Sequence, residues 1–193
     1  DVPDWYIESC YKIKYMFPKA HAAAYMIATL RLGWYKVHRP VEYYAAYFTV
    51  RSEDFDGATA VQGKAAVQRR MKELELKMKE KQASAKEEAA YATFQIINEM
   101  LARGIELLPV DLRHSDAKKF LVEDGKIRLP FSSLSGVGES AAHSLWEACK
   151  DGADFISIDE LQSRAKVSSA VIETLKGAGA LQGLPDSSQT TLF

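Results

Sequence analysis

Cysteine and proline are scarce in this sequence, which has two cysteines and six prolines among 193 residues. Cys10 and Cys149 lie far apart, and neither has a cysteine or histidine partner at metal-ligand spacing, so no disulfide framework or zinc finger is predicted. Two isolated thiols, which we expect to be buried, are typical of a reducing cytoplasm. The sequence also lacks the regions of a signal peptide and any apolar run of 18 residues, so we expect neither secretion nor a membrane span.

An excess of either charge is absent as well, because 25 Lys and Arg against 26 Asp and Glu give a formal net charge of −1. A chain without overall positive charge binds nucleic acid only through local patches. Walker A, HExxH and Ser/His/Asp arrangements do not occur, so the enzyme classes that depend on them are not predicted. Hydrophobic residues make up 47% of the chain, which is ample for a packed core.

A helix is predicted for residues 19–38, between Pro18 and the dipeptide Arg39-Pro40, which stops it; one glycine, Gly33, lies inside it. Apolar residues that recur at steps of three and four predict one buried stripe on this helix. Its other faces carry apolar or small residues too, so we expect it to have neighbours on several sides. The stripe consists of Met26, Ile27, Leu30, Trp34 and Val37. A further helix begins at Pro40 and extends to about residue 50.

Lys19 and His21 lie in the first turn of the helix predicted for residues 19–38, where unpaired N–H groups and the positive end of the dipole favour an anion. They are candidate phosphate contacts, with Arg31 as a weaker third candidate further along the helix. The alternative is an ordinary solvated helix start.

Residues 58–103 predict a helical hairpin. The first helix, 58–82, carries seven Lys or Arg and three Glu, which is typical of a solvated face. The alternative is a basic surface that contacts the phosphates of a DNA duplex. Ser84 and Glu87 form a capping box that starts the second helix, and Gly104 ends it. Residues 105–110, 119–122 and 126–129 then predict short strands, with a turn at Glu123-Asp-Gly and an edge position for the Pro109 strand.

The stretch FSSLSGVGESA, residues 131–141, resembles a helix-hairpin-helix turn. Its two glycines are expected to permit backbone angles and a close approach that a Cβ would forbid, so that N–H groups point at one DNA phosphate. A purely structural glycine turn is the alternative. A second helical hairpin follows within residues 157–181; its turn is degenerate, so we expect it to be structural. The candidate backbone-binding residues are Ser135, Gly136, Val137, Gly138, Glu139 and Ser140.

The sequence ends in QTTLF after a polar segment. Exposed terminal Leu and Phe side chains typically fill a pocket on a partner, with Leu192 and Phe193 as anchors and Gln189 as a polar contact.

FPKAHAAAY (17–25) followed by WYKVHRPVEYYAAYF (34–48) resembles the fingers-domain signature of C-family bacterial replicative DNA polymerases, closest to the PolC type of DNA polymerase III alpha subunit of Gram-positive bacteria. LPVDLRHSDAKKF (108–120) is similar to the same type, and QTTLF is similar to its clamp-binding peptide. The resemblance implies the C-terminal part of such a polymerase, acting in the bacterial cytoplasm at the replisome. Its implied partners are primer–template duplex, a deoxynucleoside triphosphate, the β sliding clamp and the rest of the polymerase chain.

We therefore expect a mainly α fold with a small β-hairpin. Its predicted parts are the end of the fingers (1–50), the helical hairpin (51–104), a short β segment (105–129), a tandem helix-hairpin-helix domain (130–184) and a flexible clamp-binding tail (185–193). Asp54, Asp56 and Asp154 are interpreted as turn formers, so the palm carboxylates that hold two Mg²⁺ ions in the intact enzyme are expected elsewhere, and the fragment alone is expected to be inactive. The competing hypotheses are a stand-alone DNA-binding adaptor with a clamp-binding tail, which is not an enzyme, and an α-helical scaffold.

Overall fold

The structure is a computed structural model that describes residues 1–13, 15, 18–51, 55–150, 152 and 154–187. The chain divides into two compact units, residues 1–40 and residues 41–193. Helices dominate and three short strands form one sheet, as the sequence predicted. None of the helices in the described ranges is both long enough and apolar enough to cross a bilayer.

The first unit consists of helices α1, Asp4–Lys12, and α2, Lys19–His38. Both predicted ends of α2 are confirmed: Pro18 occupies the N-cap position and Arg39 the C-cap position. The prediction of a buried stripe on α2 is wrong for this chain, because its five members are between 52% and 67% exposed. Helical spacing identifies an apolar face, but burial requires a surface that packs against it. Cys10 is exposed too, contrary to the expectation of two buried thiols.

The second unit begins with α3, Pro40–Val50, whose bounds agree with the prediction. Tyr44 and Phe48 on this helix are completely buried. The Phe48 ring contacts Phe55 at 4.9 Å and Phe120 at 5.6 Å between ring centroids. The Thr49 hydroxyl accepts a 3.0 Å hydrogen bond from the N–H of Phe120. Helix α3 is therefore held against the segment that leads into the sheet.

The single helix predicted for residues 58–82 is in fact two helices, α4, Gly57–Ala60, and α5, Lys64–Lys79. Gly63 separates them because its φ of +89° lies outside the helical region. The Asp56 carboxylate caps α4 by accepting from the Thr59 N–H at 3.0 Å. A Cβ on Gly57 would lie 2.8 Å from both the carbonyl and the hydroxyl oxygen of Ser133, so α4 packs closely against the segment before the glycine turn.

Helix α6, Ala85–Ala102, pairs with α5 as the predicted hairpin. The capping box is confirmed: the Ser84 hydroxyl accepts from the Glu87 N–H at 3.3 Å, and the Glu87 carboxylate accepts from the Ser84 N–H at 3.0 Å. Lys77 donates to the same carboxylate at 2.6 Å, and these hydrogen bonds lower the pKa of Glu87 to about 2. Gly104 follows the helix with a φ of +80°, as predicted for a C′ glycine.

The sheet contains β1, Leu107–Leu108, β2, Leu121–Glu123, and β3, Lys126–Arg128, in the order β1-β3-β2. β2 and β3 form the predicted hairpin, and their turn has positive φ at Asp124 and Gly125. β1 lies at an edge, as Pro109 indicated, and runs parallel to β3.

The last part of the chain contains a 3₁₀ turn, Phe131–Ser133, and helices α7, Glu139–Cys149, α8, Ile158–Ala165, and α9, Ser169–Gly177. The predicted first hairpin therefore starts with a single 3₁₀ turn instead of a helix. Phe131, Leu145, Leu161 and Leu175 are fully buried between these elements. Burial also raises the pKa of the Cys149 thiol to about 11, so this thiol stays protonated at neutral pH.

Candidate nucleic-acid interface

The glycine turn connects the 3₁₀ turn to the start of α7. Gly136 adopts a φ of +94°, which reverses the chain direction. Val137 then points into the core with 5% exposure, and its N–H donates to the Leu134 carbonyl at 3.0 Å. Val137 is therefore an anchor of the turn, and its N–H is already used, although the sequence placed it among the phosphate contacts. The other five candidates, Ser135, Gly136, Gly138, Glu139 and Ser140, are exposed.

The N-terminal end of α7 lacks a side-chain cap. Gly138 is the N-cap residue, and the N–H groups of Gly138, Glu139 and Ser140 donate no hydrogen bond within the described part of the chain. These open donors lie at the positive end of the helix dipole, which is the arrangement that binds a phosphate or another anion.

The two glycines of the turn have different conformational needs. Gly136 requires glycine because L side chains rarely adopt its φ of +94°. Gly138 has a φ of −70° and a ψ of 164°, which any residue adopts, and no described atom lies within 4 Å of the position of its Cβ. The predicted need for glycine is thus confirmed at Gly136 by its backbone angle. At Gly138 the backbone angles are ordinary, and the predicted close approach of a phosphate stays a prediction. Glycine at 138 therefore leaves open space beside the N-terminal end of α7.

The second turn, between α8 and α9, repeats the backbone of the first. Lys166 has a φ of +52°, Val167 is 9% exposed, and Ser168 is the N-cap of α9 with a φ of −73° and a ψ of 158°. Ser168 closes its own helix end, because its hydroxyl accepts from the Val171 N–H at 3.4 Å. The second turn therefore has the same backbone shape as the first. The N–H groups of residues 168–170 also donate no hydrogen bond within the described part of the chain, and only that of Val171 is capped, so the structural role of this turn stays a prediction.

Glu139 contributes an open N–H to the turn and also places a carboxylate beside it. This carboxylate forms an ion pair with Lys118 from the loop before β2, and the pair lowers the pKa of Glu139. The negative charge therefore remains at neutral pH and opposes an incoming phosphate, while Lys118 offsets it. Sequence reasoning missed this pair because 21 residues separate its members.

Comparison with known proteins supports these features. Residues 104–191 match the helix-hairpin-helix motif family. Over its whole length the chain is 47% identical to the PolC-type DNA polymerase III of Halalkalibacterium halodurans, 44% identical to that of Thermotoga maritima and 46% identical to that of Clostridium perfringens. The chain belongs to the PolC-type DNA polymerase III family. It spans only 13–14% of the length of these relatives, so it corresponds to a segment of a PolC-type polymerase.

The fingers candidates of this PolC-type segment lie on α2. Lys19 and His21 occupy the first turn, where the N-cap residue Pro18 provides no side-chain cap. The His21 ring lies 4.5 Å from the Tyr25 ring, between centroids. Arg31 is twelve residues beyond Lys19, which is about 18 Å along a helix. All three side chains are exposed. Lys19 and His21 share the first turn of α2, whereas Arg31 lies beyond it.

Two further sets of predicted residues are only partly covered by the structure. The clamp-binding candidates Gln189, Leu192 and Phe193 lie outside the described residues, as does Asp54 of the D-x-D pattern. Asp56 caps α4, and Asp154 forms an ion pair with Arg113. Within the described ranges, no three Asp, Glu, His or Cys side chains come close enough together to hold a metal ion. The PolC-type segment thus offers no described group of residues that fits a pair of Mg²⁺ ions.

We expect Glu139→Gln to strengthen duplex binding about two- to fivefold at low salt, because it removes a negative charge from the turn. The gain should shrink as salt is added. Fluorescence anisotropy with a labelled duplex measures both effects. Glu147→Gln is the matched control, since Glu147 lies on the same helix in an ion pair with Lys150 but eight residues from the turn. Equal gains from the two variants would mean that only net charge matters.

Proposed function

We propose that this PolC-type segment binds the sugar–phosphate backbone of the primer–template duplex during DNA synthesis, without reading base sequence. The observation that carries this proposal is the uncapped N-terminal end of α7 behind Gly136 and Gly138, inside a helix-hairpin-helix motif. Backbone N–H groups that point at a phosphate position a protein on DNA and carry no sequence information. The first turn is the main contact, and the self-capped second turn stabilises the unit.

The start of α2 is proposed as a second contact, made by Lys19 and His21 to the triphosphate of the incoming nucleotide or to the template. Their support is an open helix start with two exposed basic residues. Arg31 remains a weaker candidate because of its distance from that end.

Nucleotide transfer to a primer end is proposed as the activity of the intact polymerase in the bacterial cytoplasm, at the replisome. The carboxylates that bind Mg²⁺, which stabilises the attacking and leaving oxygens, are assigned to other parts of that protein. This chain alone is expected to be inactive, and detectable primer extension by it would contradict the assignment.

Anisotropy of a labelled primer–template duplex over a salt series tests the duplex-binding proposal. The logarithm of the association constant should fall linearly with the logarithm of salt concentration, and duplexes of unrelated sequence should give the same line. An absence of binding even at low salt would overturn the proposal.

The tail is proposed to bind the sliding clamp through Leu192 and Phe193, with Gln189 as a polar contact. Deletion of residues 189–193 should abolish binding of this chain to the clamp in a surface plasmon resonance assay and leave duplex affinity unchanged. Attachment through residues 189–193 would raise the local concentration of the polymerase on DNA without altering its chemistry. Clamp binding that survives the deletion would place the contact elsewhere in the chain.

The polymerase assignment is favoured over a stand-alone adaptor by the extent of the sequence match. An adaptor that borrowed a DNA-binding unit and a tail would resemble polymerases over those parts alone, whereas the match to PolC-type relatives covers the entire chain, including the helices before residue 104.

A further inference from the structure

A groove of about 660 Å³ runs between the glycine turn and the α5–α6 hairpin. One wall is the turn itself, residues 132–139, and the other wall is formed by Arg70 of α5 and the first half of α6. Phe94 and Ala90 form part of the apolar floor. The groove therefore continues directly from the proposed phosphate site to a second structural element.

The hairpin wall presents two cations to this groove, Arg70 from α5 and Lys86 from α6. Lys86 is exposed and forms no ion pair with any residue in the described ranges. Arg70 is bound to Glu73 at 2.9 Å, an exposed pair of the kind that contributes little and exchanges readily. Lys86 is thus the cation that is immediately available to a ligand.

The three acids that line the groove are all engaged by neighbours. Asp56 caps α4, Glu87 is bound by Lys77 and the Ser84 cap, and Glu139 is paired with Lys118. The partners Lys77 and Lys118 offset two of these negative charges. The Ser132 hydroxyl, in contrast, is buried in the groove wall without a hydrogen-bond partner in the described part of the chain.

We propose that this groove holds the continuation of the DNA backbone whose phosphate binds at the glycine turn, with Lys86 as the principal second contact and Arg70 as an auxiliary one. The inference rests on the proposed function, since it extends the same duplex interface. Continuity with the turn supports it, because Lys86 and Arg70 line the same groove as residues 132–139. Lys86 is exposed and has no ion-pair partner in the described ranges, so its charge can meet a phosphate in that groove. The α5–α6 hairpin is then an arm of the DNA-binding site as well as a scaffold.

Lys86→Gln and Arg70→Gln test this proposal in the whole chain, with anisotropy of a labelled duplex over a salt series. Loss of one phosphate contact should reduce the log–log salt slope by about 0.9 and weaken binding near 0.1 M salt by roughly five- to tenfold. Arg70→Gln should have the smaller effect because Arg70 must first leave Glu73. The matched controls are Lys72→Gln and Arg69→Gln on the same hairpin, which change the net charge equally but do not line the groove.

A slope for Lys86→Gln equal to that for Lys72→Gln would overturn the proposal, even if affinity falls slightly in both. That outcome leaves the proposed function intact as long as the unmodified chain binds duplex and a substitution at Gly138 weakens it. If the unmodified chain binds no duplex at any salt concentration, the proposed function and this extension fail together.

Discussion

Gly138→Val is expected to weaken duplex binding at least tenfold while leaving the fold almost unchanged. The backbone at 138 accepts any residue, and a Cβ there meets no described protein atom within 4 Å, so the folded state has room for the side chain. The cost to stability should be about 1 kcal/mol or less, because valine is a poorer N-cap than glycine. A phosphate bound at the N–H groups of residues 138–140, in contrast, would lie next to residue 138, where the added valine side chain would crowd it.

Affinity is measured by anisotropy and stability by denaturant unfolding followed by circular dichroism. Gly183→Val is a control that should show the opposite pattern, a loss of stability without a loss of affinity. Gly183 has a φ of +89° and no neighbour near its Cβ position, so valine should cost stability by backbone strain and leave affinity unchanged. Gly136→Val is less informative, since its φ of +94° makes it lose stability and binding together. Undiminished affinity in Gly138→Val would mean that no phosphate lies against the end of α7.

Phe48→Ala is expected to produce the largest loss of stability, about 3–5 kcal/mol. The Phe48 side chain is completely buried, and its ring joins Phe55 and Phe120, which also contact each other at 4.7 Å. Alanine would leave a cavity where α3, the entry to α4 and the strand segment meet, and close packing prevents the surrounding rings from filling it. Denaturant unfolding monitored by circular dichroism measures the change.

Trp34→Ala supplies the comparison for this substitution. Trp34 is larger than Phe48 and was predicted to be buried, yet it is 52% exposed on α2. Its replacement should change stability by about 0.5 kcal/mol or less, as for most exposed sites. A loss as large as that of Phe48→Ala would show that the apolar face of α2 is covered in solution.

These two positions illustrate what sequence patterns can and cannot establish. Trp34 lies at helical spacing among apolar residues and is predicted to face inward, and Phe48 lies among the aromatic residues of the next helix. Local spacing defines which side chains share a face, because helix geometry is fixed by the backbone. Whether a face is covered depends on another surface, which can lie elsewhere in the chain or in another part of a longer protein. This chain spans only 13% of the length of a PolC-type relative, so much of such a protein lies outside it.

The same limit applies to the interface. The positive φ of Gly136, the capping box at Ser84 and the start of α2 at Lys19 follow from residue types with strong local preferences, so the sequence predicts them. Gly63, in contrast, breaks a segment that charge and apolar spacing had indicated as one helix. A single glycine is tolerated inside many helices, so the break is visible only from its backbone angle.

The sequence by itself determined the polymerase family, most of the order of helices and strands, and the turn that carries the proposed phosphate site, because each depends on residues close together in the chain. Only the tertiary structure decided which charges surround that turn. It paired Glu139 with Lys118 across 21 residues and set Lys86 and Arg70 on the wall facing the turn. Such contacts join distant segments through packing, and no local pattern specifies them.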